Sequence, residues 1–262
     1  MTPSPKPLAG WRVLVPRGGR WGDTVAATLR GHGAVPVIAP LINFASTDDA
    51  QGLANALYDL QDGQFDWLVV TSATTVDVLM SQSVVVPPTT RIAAVGETTA
   101  AALAVAGYQV EFIPESDNSA RGLVKEWPAA DTGRVLIPQS DIAEPTLVSG
   151  LAELGLNVKY VSAYRTVGVP IAEHVAADVA SGRIGAVLIT SGSVARQVAA
   201  QLSPLPGGTI VACIGPRTAF DARAAGLVVD VIAESRTADA LVDALVEFVE
   251  TRAAGTDTEG EK

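Results

Sequence analysis

The chain has 262 residues, 48% of them hydrophobic and 18% charged, enough for one large or two modest domains and inconsistent with a stapled mini-protein or a disordered body. Its formal charge of −10 argues against a nucleic-acid binder, which needs a basic face. No apolar stretch reaches the length of a membrane span and residues 1–8 lack the apolar core of a signal peptide, so a soluble cytoplasmic protein is expected.

In chain order, short apolar runs alternate with helical periods. Residues 12–15 read as a buried strand, followed by a helical period at 24–32 that stops at Gly33. Strands follow at 68–70 and 92–95, then a helix at 98–106 stopping at Gly107. A strand at 135–137 precedes a helix at 145–154 stopping at Gly155. Strands at 186–189 and 210–212 lead to a helix at 217–225 stopping at Gly226, and a last helix is expected at 238–249. Runs that are apolar throughout belong to strands covered on both faces, which implies parallel sheets in an α/β protein. Each of the four glycines sits where a helix ends in the left-handed conformation.

The sequence repeats. Thr71-Ser72 recurs as Thr190-Ser191, Gly96 as Gly215, Thr99-Ala100 as Thr218-Ala219, Gly107 as Gly226 and Glu115-Ser116 as Glu234-Ser235, always 119 positions apart. A second element recurs at 122, with Arg12 through Pro16 echoed by Arg134 through Pro138 and Gly33 by Gly155. Spacing this long means two copies of one α/β domain, not a solenoid.

In each copy a strand runs into Thr-Ser and a helix, and a second strand runs into Gly-x-x-Thr-Ala and a helix. Hydroxyls and unpaired backbone N–H groups therefore collect at the carboxyl ends of parallel strands, where open α/β sheets bind ligands and helix N-termini favour anions. The four loops are expected to face a common cleft, although each Ser or Thr also suits a plain helix cap. Only four of the 18 basic residues (Lys6, Lys125, Lys159 and Lys262) are lysines; the rest are arginines, whose planar fork suits carboxylates. The two histidines, His32 and His174, give a Ser-His-Asp arrangement little material. Cys213, the one cysteine, lies in an apolar run, and no phosphate-binding or metal-ligand motif is present in the sequence.

The order Thr71-Ser72, Ala94-Val95-Gly96-x-x-Thr99-Ala100, Ser119-Ala120-x-Gly122-Leu123, Tyr164-x-Thr166, Thr190-Ser191-Gly192-Ser193 and Ile214-Gly215-Pro216-x-Thr218-Ala219 resembles the uroporphyrinogen-III synthase family. The resemblance runs from about Arg12 to Val249 and implies two flavodoxin-like parallel-sheet domains from an internal duplication, joined by a two-stranded linker. Residues 1–40 with 170–250 would form the first domain and 48–159 the second, inserted one; 41–47 and 160–169 would be linkers and 251–262 a disordered tail.

The resemblance also implies a cyclising hydro-lyase of tetrapyrrole biosynthesis. Hydroxymethylbilane would lose its hydroxyl as water, and the resulting azafulvene cation would attack the substituted carbon of the terminal ring. A spiro intermediate would follow, then closure with that ring inverted. No cofactor, metal, nucleic acid or membrane is implied; a monomer is expected, in transient contact with the preceding pathway enzyme. Tyr164 matches the family's Tyr-x-Thr and is the expected proton donor, although packing at the hinge would explain it equally. Arg17, Ser72, Thr99, Thr190, Ser191, Ser193 and Thr218 are the expected substrate-binding residues. Thr74 stands where the family often has Asn or Arg, and Gln139 where it often has Arg, so ion pairs from those loops are not expected. A non-enzymatic two-lobed binding or sensor protein for a small anion stays open from the residues alone, and a flavodoxin-like electron carrier is disfavoured by the low aromatic content.

Overall fold

The computed structural model describes residues 6–128 and 133–259. Its elements run β1 (Arg12–Val15), α1 (Gly19–Gly31), β2 (Val35–Ile38), β3 (Ile42–Ser46), α2 (Ala50–Gln61), β4 (Trp67–Val70), α3 (Ala73–Ser81), β5 (Arg91–Ala94), α4 (Glu97–Val105) and α5 (Ala120–Lys125). They continue with β6 (Arg134–Ser140), α6 (Thr146–Glu153), β7 (Asn157–Gly168), α7 (Glu173–Ala180), β8 (Ala186–Ile189), α8 (Gly192–Leu202), β9 (Ile210–Cys213), α9 (Pro216–Ala224), β10 (Val231–Ile232) and α10 (Ala238–Glu259). Gly33, Gly107, Gly155 and Gly226 all follow helices with φ near +90°, as their sequence positions predict.

The chain divides into two compact units, Met1–Asn43 with Gly168–Lys262, and Phe44–Val167. It passes between them within β3 and within β7, so the stretches expected as linkers are largely strand. Because α10 continues through Glu259, the described part of the segment from residue 251 is helical where a disordered tail was expected; 260–262 lie outside the described residues.

Unit 1 carries a five-stranded sheet in the order β10-β9-β8-β1-β2, the flavodoxin-like arrangement, and its strand pairs are parallel. Successive strand residues serve opposite faces. Val13, Val15, Leu188 and Ala212 pack against α1 and α10, whereas Leu14, Val187, Ile189 and Val211 pack against α7, α8 and α9. Burying a Leu or Val side chain contributes about 1.5–3 kcal/mol, and both faces are filled, which is why these strands read as unbroken apolar runs.

Unit 2 has the order β3-β7-β6-β4-β5. Leu68, Val70, Ile92 and Leu136 face α2, α3 and α4, and Trp67, Val69, Val135 and Ile137 face α5 and α6. The pairing registers match those of unit 1 at the sequence offsets of the repeat. Val13 pairs Ala186 as Val135 pairs Trp67, and Arg12 pairs Val35 as Arg134 pairs Asn157. Ala186 pairs Ile210 as Trp67 pairs Arg91, and Ala212 pairs Val231 as Ala93 bridges Phe112. The strand at 12–15 thus lies beside the strand at 186–189, not beside the one at 67–70.

Candidate active site

In unit 1 the carboxyl ends of β1, β8 and β9 open into the turns that carry the expected binding residues. Ser191 caps α8: its Oγ accepts the Val194 N–H at 3.3 Å and lies 2.9 Å from the Ser193 hydroxyl. The neighbouring Thr190 Oγ1 is buried without a hydrogen-bond partner. Arg17 follows β1 half-buried, its guanidinium 5.3 Å from the Trp21 ring centre. Thr218 is the third residue of α9 and only 8% exposed, so the outer surface of that turn falls to Arg217, which pairs with Asp221 at 3.3 Å. Cys213, at the end of β9, is buried; desolvation pushes its thiol up to about 12, far from a nucleophile's range.

In unit 2, Ser72 caps α3 and Thr99 is the third residue of α4, 5% exposed. Tyr164 is 8% exposed on β7. Its placement follows from an irregularity in pairing: Gln139 of β6 faces Ser162, but the next residue, Ser140, faces Tyr164. Ala163 is the extra residue. Strict alternation would send Ala163 and Tyr164 to opposite faces, and the bulge turns both into the same core. The Tyr164 ring meets Phe44 edge to face, with centroids 5.4 Å apart.

The hydroxyls around Tyr164 fall into one order. Thr75 Oγ1 donates to the Pro138 carbonyl at 3.3 Å, so its own proton is committed there. The 3.1 Å contact between Ser72 and Thr75 hydroxyls then requires Ser72 to donate, and the 2.9 Å contact between Ser72 and Tyr164 requires the phenol to donate to Ser72. Ser72 Oγ also accepts the Thr75 N–H, completing the cap.

Beside Tyr164 lies an open groove of about 550 Å³ between β3, α2, α3 and β7, all within unit 2. Its floor is apolar, and Thr74 and Asp77 line its α3 side. Among the described residues no lysine, arginine or histidine lines it.

The two edges differ in charge position by position. At the offsets of the repeat, Arg17 corresponds to Gln139, Arg196 to Asp77, Arg217 to Thr98 and Arg236 to Asp117. Arg236 belongs to the edge of unit 1, since its side chain lies about 3.5 Å from where a Cβ on Gly215 would stand. Sequence reasoning found Arg17 and missed Arg217 and Arg236. Gln139, at the repeat position of Arg17, is buried, donates weakly to Thr71 Oγ1 at 3.5 Å and leaves its own Oε1 unpartnered. Among the described residues no group of His, Cys, Asp and Glu is placed to hold a metal, and no helix is long and apolar enough to cross a membrane.

Two largely parallel sheets, that of unit 1 in flavodoxin-like order, with hydroxyl-capped helices at their carboxyl edges, define a two-unit α/β protein suited to a polar small molecule. The family described as uroporphyrinogen-III synthase HemD matches residues 23–243, and the chain belongs to it. The chain is 28% identical over 254 residues to the porphyrin biosynthesis protein HemD of Ruminiclostridium josui; this covers 93% of the chain but only 49% of that relative, about half its length. It is 26% identical over 261 residues to the uroporphyrinogen-III synthase of Synechococcus elongatus, covering 93% of this chain and 97% of that one. A mutant uroporphyrinogen III synthase from the extreme thermophile Thermus thermophilus superposes with a TM-score of 0.64 at 17% identity, over 92% of this chain and 99% of that one. The Helicobacter pylori enzyme gives 0.59 at 15% identity, over 90% and 98%. At those identities the structures share a fold. The family acts on the small molecule hydroxymethylbilane.

Proposed function

We propose that this chain cyclises hydroxymethylbilane to uroporphyrinogen III with inversion of the terminal ring, and that its sheet edges bind the substrate's carboxylates. The observation that carries the reading is the match of the uroporphyrinogen-III synthase family over residues 23–243, joined to the hydroxyl-bearing turns at the strand ends. Ser191, Ser193, Thr190 and Arg17 serve carboxylates at the edge of unit 1, with Arg217 beside the buried Thr218. In unit 2, Ser72 and the first turn of α4, which holds Thr99, are the corresponding groups.

The reaction is redox-neutral and removes one water. Tyr164 gives its proton to the departing hydroxyl, and the C–O electron pair leaves with that oxygen. The alkylated ring loses one proton as it regains aromaticity, and the phenolate takes it back. To act, the phenol exchanges its bond to Ser72 for one to the substrate, a swap of neutral hydrogen bonds worth about 1 kcal/mol either way. The rest is positioning, because the linear bilane is disposed to close unaided without inversion. We place the enzyme in the cytoplasm, where a lone buried thiol is at home, and read it as a monomer.

The test is to supply hydroxymethylbilane generated in situ, oxidise the products and separate the porphyrin isomers. The inverted isomer, formed faster than the spontaneous closure, is the expected result; only the uninverted isomer would refute the reading.

A further inference from the structure

The groove beside Tyr164 holds the opposite of what an anion site needs. Its one charged lining residue is a carboxylate, Asp77, and among the described residues no cation is paired with it. Asp77 is exposed on α3, one turn beyond the residues that cap that helix, and nothing in the packing of unit 2 requires an acid there. The matching position of unit 1 holds Arg196, and the arginines at 17, 217 and 236 are likewise replaced in unit 2 by Gln139, Thr98 and Asp117. A carboxylate is therefore disfavoured beside Asp77, whereas a neutral or positive group is not; Arg165, which donates to the carbonyl of the lining residue Ser46 at 3.0 Å, is itself paired with Asp48.

We propose that the groove receives the pyrrole ring that carries the departing hydroxyl, and that Asp77 is the counter-charge of the cation formed there. This rests on the function proposed above. The C–O bond breaks with its electron pair on oxygen, the oxygen takes one proton and leaves as water, and the pyrrole nitrogen's lone pair moves toward the freed carbon. One positive charge then resides on an azafulvene whose N–H faces an acceptor. The Asp77 carboxylate stabilises that charge and gains little from the neutral ring that precedes it, so its effect falls on the transition state more than on the ground state. Phe44, 43% exposed and held edge to face by the buried Tyr164 ring, offers aromatic surface to a flat ring. Asp77 keeps its own proton count throughout, so the atoms balance without it.

The experiment measures rate, KM and isomer ratio for wild type, Asp77→Asn and Asp77→Glu, each with its melting temperature. Asp77→Asn is expected to lower kcat about tenfold or more with KM within about twofold, to raise the share of uninverted isomer, and to melt like wild type. Asp77→Glu, which restores the charge, is expected to recover most of the rate. An Asp77→Asn variant with kcat within about twofold of wild type, or one whose loss lies wholly in KM, overturns the proposal. A wild-type chain that yields only the uninverted isomer overturns the function reading and this proposal with it. A wild-type chain that inverts the ring beside an unimpaired Asp77→Asn overturns this proposal alone.

Discussion

Replacing Tyr164 with phenylalanine separates chemistry from packing, because the structure lets each contribution be sized. The substitution keeps the ring, its edge-to-face contact with Phe44 and its place in the core with Val161 and Ala163. It removes the phenol's bond to Ser72, while Ser72 still caps α3 and donates to Thr75. A neutral hydrogen bond contributes about 1 kcal/mol, so stability should fall by no more than that, about 2–4 °C in melting temperature for a chain of this size. A positioned proton donor is worth about 10²-fold in rate. If Tyr164 gives up the proton, Tyr164→Phe loses about 10²-fold or more in kcat with KM nearly unchanged, and bilane released unclosed raises the uninverted isomer. Single-turnover rates on in situ bilane, with isomers separated after oxidation, read both quantities. A rate within about threefold of wild type and an unchanged isomer ratio would refute the assignment and leave Tyr164 as a packing residue.

Arg217→Ala and Arg236→Ala should each raise KM about tenfold, the loss of a charge-assisted hydrogen bond, and flatten its dependence on salt; if both leave KM unchanged, carboxylate recognition does not lie on the edge of unit 1. Asp178 is gripped by Arg12 at 2.7 Å and Arg183 at 2.6 Å, and the Arg12 hydrogen bond is the main cause of its carboxyl lying below the usual range. Its contribution is therefore present above the ordinary value of about 3.9 and lost as pH falls through the depressed one, so the stability gap between wild type and Asp178→Asn should close on acidification. Urea unfolding at pH 7 and near pH 2 measures this, and a gap that stays constant would contradict it. Gly96 caps α4 at φ +82° and Gly215 caps α9 at φ 175°, so Gly96→Ala should cost about 1–2 kcal/mol by denaturant unfolding and Gly215→Ala clearly less; equal costs would show that backbone conformation is not what separates the two turns.

Much of the fold was legible because its signals are local. Apolar runs such as Val187 through Ile189 mark strands covered on both faces, and glycine at 33, 107, 155 and 226 marks helix ends. The repeat offsets carried further, since the same 119 and 122 positions that align Thr71 with Thr190 and Arg12 with Arg134 also relate the strand registers. Helix α2 carries a signal of the same local kind that the strand and glycine pattern alone does not mark, since Leu53, Ala56, Leu57 and Leu60 have the spacing of a buried helical face. The surroundings of Tyr164 were beyond reach for a different reason. Its inward turn depends on the extra residue opposite Ser140, and a bulge is a property of two paired strands, not of the sequence of one. The groove at Asp77 needs β3, α2, α3 and β7 together, so no single stretch announces it. Arg217 and Arg236 were within reach. Comparing each arginine with the residue at the repeat offset exposes the charge difference from sequence alone.

Directed inversion of the terminal ring is the activity proposed for this chain. Hydroxymethylbilane made in situ, presented to the chain with neither added metal nor cofactor and oxidised after a few seconds, gives porphyrin isomers whose ratio is the most direct reading. Predominantly the inverted type III isomer is expected, at a rate proportional to the amount of protein. A product mixture identical to that of the protein-free control, at every protein concentration, would contradict it.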